Sequence, residues 1–238
     1  MVRFGSQWVS HADTIRQHWL ERVTDDDIVL VPGDISWAMR LDGARPDLQF
    51  LSELPGRKVM VKGNHDYWWN SVNKVRKALP DGMTALQADA VRMDDVIFAG
   101  TRMWDVPGVR LGDIINWAPN SNAAISAADT MADETESRKV YDRELGRLER
   151  ALEHLGRLQD EQPAALKVLL LHYPPSDAAL HPTAVTERIE KAGVDHVVFG
   201  HLHAVKQDVP AFGEARGVNY HLASCDYINF KPILIAEL

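Results

Sequence analysis

Short apolar runs recur along the chain, each closed by Gly, Asp or His, and each has the length of a buried strand. They fall at residues 28–31, 58–61, 96–99, 166–171, 196–199, 218–223 and 233–236. Helical spacing separates several of them, at about residues 8–23, 44–54, 72–79 and 183–192. Strand and helix in alternation predict an α/β layered fold with its chemistry on loops at the strand ends. The last runs follow one another without intervening helices, which predicts a partly antiparallel second sheet.

The longest predicted helix covers about residues 132–159, where Tyr141, Leu145, Leu148, Leu152 and Leu155 form one apolar stripe among Arg, Glu and Asp. No period is visible between Thr101 and Thr130, and Pro107, Gly108, Gly112, Pro119 and Asn120 punctuate that stretch. A loop of such length inside a compact fold is commonly a lid or a binding loop. With neither repeat nor linker in view, the 238 residues are read as one domain with one insertion at about 101–130.

Composition narrows the classes. The chain is 45% hydrophobic and 25% charged, as in ordinary globular proteins, which excludes disorder, collagen and disulfide scaffolds. A formal charge of -8 works against bulk nucleic-acid binding. No segment has the apolar length of a membrane span, and the first twenty residues lack the pattern of a signal peptide, so the expected location is cytoplasmic, with no membrane partner. One cysteine, Cys225, against ten histidines means that a metal site here would use nitrogen and oxygen donors. Cys225 itself reads as a buried, inert thiol.

Four motifs sit where predicted strands end. Val29-Leu-Val-Pro-Gly-Asp34 closes in Gly-Asp, and Val59-Met-Val-Lys-Gly-Asn-His-Asp66 closes in Gly-Asn-His-Asp. Leu169-Leu-Leu-His172 closes in a histidine, and Val197-Val-Phe-Gly-His-Leu-His203 in Gly-His-Leu-His. Each alone has a bland reading: a turn, a hydrogen-bonded core histidine, or two faces of a continuing strand. All four in order at strand exits point to a metal site of carboxylate, carboxamide and imidazole donors suited to Mn, Fe, Zn or Ni.

With these motifs the sequence resembles the calcineurin-like metallophosphoesterase family, whose ordered signature is GD, GNHD, H and GHLH. It is most similar to a bacterial branch of predicted phosphohydrolases in Gly33-Asp-Ile-Ser-Trp-Ala-Met39, Gly63-Asn-His-Asp-Tyr-Trp-Trp69, Gly100-Thr-Arg102 with Trp104, His172-Tyr-Pro-Pro175, Ser224, Asp226-Tyr227, Phe230 and Pro232. The resemblance implies a four-layer α/β/β/α sandwich holding two divalent metals. It makes Asp34 the bridging ligand, places Asn64, His172 and His201 on one metal and His203 on the other, and makes His65, paired with Asp66, the general acid. It further implies hydrolysis of a phosphorylated small-molecule or macromolecular substrate.

Members of the family begin with a strand ending in Asp-x-His, which supplies two ligands, and this chain contains no Asp-x-His. Ser10-His11-Ala12-Asp13 has the wrong order to replace it. The first strand of the sandwich is therefore expected to be missing, and the opening Met-Val-Arg-Phe-Gly resembles an internal segment of the family, so that Met1 reads as an internal methionine. Alternatively the chain is natural and catalytically impaired, a metal-binding or interaction protein of the same fold. In either case metal content nearer one than two per chain is expected.

Trp37, Tyr67, Trp68 and Trp69 lie close in sequence to Asp34 and Asn64, as walls of a substrate pocket or as packing beneath the loops. Trp37 and Tyr67 are candidate substrate contacts. Arg102, opening the insertion beside Trp104, is a candidate phosphate clamp.

Overall fold

Alternation within the strands sorts the core into separate layers. In the computed structural model, which describes residues 8–116, 127–208 and 211–237 and only the backbone of 127–134, a parallel sheet is formed by β1 (Ile28–Val31), β2 (Arg57–Val61) and β3 (Met83–Leu86) in the order β1-β2-β3. A second, mixed sheet contains β4 (Asp89–Met93), β5 (Val96–Gly100), β6 (Leu166–Leu170), β7 (His196–Phe199), β8 (Gly213–Ala215) and β9 (Val218–Leu222) in the order β4-β5-β6-β7-β9-β8. The expectation of a partly antiparallel second sheet holds at its two ends, where β4 pairs with β5 and β8 with β9; the interior pairs are parallel.

Val59 and Val61 of β2 meet Val96 and Phe98 of β5, Val168 and Leu170 of β6 and Val198 of β7 between the two sheets. The intervening residue of β2, Met60, faces the other way, into a core with Ala44 and Leu48 of α2 (Leu41–Ser52) and Val75 of α3 (Val72–Ala78). On the far side, Ile97 and Ala99 of β5, Leu169 of β6 and Val197 of β7 pack with α4 (Ala127–Glu161) and α5 (Ala184–Lys191). Helices, sheet, sheet, helices: this is the α/β/β/α sandwich. The stripe expected on α4 is the buried one, with Tyr141, Leu148, Leu152 and Leu155 in the core and Leu145 packed against it.

Three elements differ from the sequence expectation. The helix read at residues 8–23 is α1 (His11–Leu20), shorter because Ser10 at its start has a left-handed φ of 56° that cannot continue a helix. Residues 233–236 form no strand: among the described residues none pairs with them, and Ile233 and Leu234 stand exposed while Ile235 packs against the core between the sheets. The insertion at 101–130 falls partly on residues 117–126, outside the described residues; its first part carries a short 3-10 turn (Gly112–Ile114) tied by Ile115 to Val205. Met1 and the segment around it also lie outside the described residues.

β1 ends its sheet, and all four of its residues are only half-buried. A trough of about 1300 Å³ runs beside it, lined among others by Ile28, Leu30, Val198 and Ile235, and reaches Asp34, His172, His201 and His203. Among the described residues no helix is long and apolar enough to cross a membrane.

Candidate metal centre

The parallel strands β1 and β2 deliver their closing motifs side by side, and Gly33 and Gly63 allow the two loops to touch. A Cβ on Gly33, which has φ 91°, would lie 2.6 Å from the Gly63 nitrogen and 2.8 Å from His172 Nδ1; one on Gly63 would land on the Asp34 carboxylate. Asp34 and His201 themselves adopt left-handed backbone, with φ 57° and 70°. Such conformations cost of order 1 kcal/mol or more in a residue with a side chain and concentrate at functional sites.

His172 follows β6, and its Nδ1 donates to the Pro32 carbonyl at 2.7 Å. That bond leaves Nε2 as the lone-pair nitrogen. Nε2 lies 2.7 Å from Asn64 Oδ1 and 3.3 Å from His201 Nδ1, which is itself 3.0 Å from Asn64 Oδ1. Asp34 Oδ1 stands 3.6 Å from the same Nε2 and accepts the His65 backbone N–H at 2.9 Å. Burial lowers His172 to about 4 and His201 to about 3, the latter with help from the neighbouring His172, so both rings are neutral at pH 7. Burial pushes the Asp34 carboxyl up, against the pull of the His65 N–H. Neutral imidazoles, a carboxamide oxygen and a carboxylate gathered this closely form a donor set that fits a divalent cation of the Mn to Zn range.

His203 lines the same trough as Asp34, His172 and His201 and is held by a carboxylate. Its Nδ1 is 3.1 Å from Asp226 Oδ1, while Asp226 Oδ2 accepts the Ala204 N–H at 2.8 Å, and the Trp8 ring meets it edge-on. Among the described residues no three His, Cys, Asp or Glu side chains form a ready-made metal cage. Asp226 enters the sequence reading only within the Asp226-Tyr227 pair of the family resemblance, with no role attached; it follows the last sheet strand, at the same end of the sheet as the other motifs.

The expected pairing of His65 with Asp66 takes a different form. Asp66 is fully buried, and its carboxylate accepts from the N–H groups of Asp34, Ile35, Ser36 and Gly63 and from Trp68 Nε1, at 2.8–3.0 Å. Burial raises its carboxyl while these bonds oppose the rise. Asp66 thus clamps the two loops together from beneath and leaves the His65 ring to other partners. That ring stacks on Trp37 at 4.4 Å and has Nδ1 3.1 Å from the Tyr67 hydroxyl.

The aromatics divide between the two readings. Trp68 and Trp69 are core, whereas Trp37 and Tyr67 are exposed beside His65. Arg102 does not reach the convergent group as a phosphate clamp: its guanidinium lies over Trp104 and binds the buried Glu144 of α4 at 3.1 Å, which turns it to the other side of its loop. Its backbone carbonyl accepts the N–H groups of His172 and Tyr173. His221 pairs with His196, 3.1 Å away. The Cys225 thiol is pushed up to about 11 by burial, which suits it to no nucleophilic role. His11 binds the Trp8 carbonyl.

No curated protein sequence matches the chain. Its fold compares with the crystal structure of a protein of unknown function from Aquifex aeolicus at a TM-score of 0.43 and 14% identity, covering 95% of this chain and 82% of that one. The sequence profile of the calcineurin-like phosphoesterases matches residues 7–205, a span that takes in all four strand-end motifs. The chain belongs to the calcineurin-like phosphoesterase family.

Proposed function

We propose that the protein is a metal-dependent hydrolase of phosphate esters. Asp34, Asn64, His172 and His201 hold one divalent cation, and Asp34 with His203 offers a second, poorer position. The observation that carries this reading is the gathering of Asn64 Oδ1, His172 Nε2 and His201 Nδ1 within 3.3 Å of one another, with His172 Nδ1 already spent on Pro32. A divalent cation bound there supplies charge neutralisation of the phosphoryl oxygens and activation of water.

The remaining work falls to the chain's own side chains. His65 is the general acid: the Tyr67 hydroxyl occupies Nδ1, so Nε2 is the nitrogen that holds the proton for the departing oxygen. Trp37, stacked on the ring, fixes its plane and shields one face from water. Asp66 positions the Gly63–His65 loop against Asp34 without touching substrate. Trp37 and Tyr67, both exposed, are the substrate contacts.

Turnover of aryl phosphate mono- and diesters with added Mn²⁺ tests this reading. Activity lost in Asn64→Ala and lowered in His65→Ala supports it; turnover in the parent equal to that of both variants overturns it. A second reading, metal binding without turnover, is favoured by one observation: of the four strand-end motifs only Asp34 and His203 remain to serve the second position, with no Asp-x-His in the sequence to add to them. Metal bound by the parent and absent from Asn64→Ala, with no turnover in either, selects it.

A further inference from the structure

A second cavity, of about 250 Å³, lies between the residues that follow β2, the end of β3, Arg102 and α4. Its walls carry four cationic side chains, Lys62, Arg102, Arg143 and Arg147, and one carboxylate, Glu144. The formal balance is +3, in a chain whose total is -8. We propose that this cavity binds a phosphate group.

The geometry leaves cationic donors in surplus. Glu144 is fully buried, and all three guanidiniums converge on one of its oxygens, Oε1: Arg147 Nη1 at 2.6 Å, Arg102 Nη2 at 3.1 Å and Arg143 Nε at 3.6 Å. Each guanidinium carries five N–H groups and the ammonium of Lys62 three, so one carboxylate oxygen satisfies a small part of them. Lys62 spends one proton on the Trp69 carbonyl. Of the carboxylates nearby, Asp66 is consumed by its five N–H donors, and Asp89 by Arg76 and the Gln87 N–H. Glu144 therefore orients the arginines without neutralising them, and a dianionic group with several acceptor oxygens is the chemistry that completes the set. The cavity is smaller than the roughly 300–1,000 Å³ of ordinary organic-ligand sites, which suits an anionic group or the end of a larger molecule. Two backbone links tie it to the metal centre: Lys62 immediately precedes Gly63-Asn64, and the Arg102 carbonyl accepts the His172 N–H.

The phosphate is either free inorganic phosphate or the distal phosphate of a substrate carrying two. Calorimetric titration of the EDTA-treated protein with inorganic phosphate tests the site without reference to the metal centre or to turnover. One equivalent bound by the parent, weakened roughly tenfold or more in Arg147→Gln and in the more exposed Arg143→Gln, is the expected result. Thermal melts establish that both variants are folded. Absence of binding, or equal affinity in parent and variants, overturns the proposal whatever the metal centre does. In the metal-loaded enzyme, a KM raised in Arg143→Gln for a bisphosphorylated aryl substrate but not for its monophosphorylated counterpart assigns the group to substrate. Equal KM values, with inorganic phosphate still bound, assign it to free phosphate.

Discussion

Asp226 holds His203 through one carboxylate oxygen and the Ala204 backbone through the other, so one side chain fixes both the ring and the chain that carries it. Partners of this kind commonly change metal affinity 10–100-fold when removed. Asp226→Ala is expected to raise the Mn²⁺ concentration needed for half-maximal activity roughly tenfold, with the tightly held first equivalent unchanged. An unaltered Mn²⁺ requirement would remove Asp226 from the site.

Metal content follows from the asymmetry of the donor set. Among the described residues four side chains converge on the first proposed position, while the second proposed position draws on Asp34 and His203. After equilibration with Mn²⁺ and gel filtration, the protein is expected to retain nearer one than two equivalents, and Asn64→Ala nearer none. Two tightly held equivalents would show that another group completes the second position.

Asp66 is the largest stability prediction. Its removal leaves four backbone N–H groups and one indole N–H without their acceptor in a buried place. Each such loss costs about 1–3 kcal/mol, with partial relief where water enters. Asp66→Ala is expected to lose roughly 3 kcal/mol or more in denaturant melts, and metal retention with it. A variant as stable as the parent would contradict the clamp.

The pH dependence of stability has a definite sign. His172 is neutral in the folded chain down to about 4 and takes a proton near 6.5 when unfolded, so below pH 6.5 the unfolded chain binds more protons. Stability in EDTA is full above pH 6.5 and drains as pH falls towards about 4, by an order of 3 kcal/mol from this ring. His201, held down to about 3, acts in the same direction. The difference in Tm between parent and His172→Gln should therefore shrink over that interval; a pH-independent difference counts against neutral burial.

Much of this was legible in the sequence because buried parallel strands are written as uninterrupted apolar runs. β1 and β7 begin and end where the runs do, and the four strand-end motifs were visible as polar donors closing apolar runs, three of them introduced by Gly. β3, β4 and β8 were not, because Met83–Leu86, Asp89–Met93 and Gly213–Ala215 are short and mixed and owe their strand form to the neighbour they pair with. Residues 233–236 are the reverse case, apolar enough for a strand but without a pairing partner among the described residues. Arg102 reads as a clamp at the metal centre until α4 is folded against it, since the buried carboxylate of Glu144 sits on a helix whose sequence otherwise shows only an apolar stripe and a charged face. Asp66 likewise looks like a partner for the histidine beside it, and only the meeting of two loops shows that it serves the backbone.

The alternation within β2 bears on how this protein can change over time. Val59 and Val61 belong to the space between the sheets and Met60 to the helical side, and Asn64 follows three residues beyond Val61. Removing one residue from this strand would exchange the two cores and rotate Asn64 away from His172, because a single-residue slip inverts every face. Substitutions among apolar residues at 59–61 disturb packing by increments, whereas an insertion or deletion there is lost in one step. The spacing between strand and motif is thus under tighter constraint than the identity of any one strand residue.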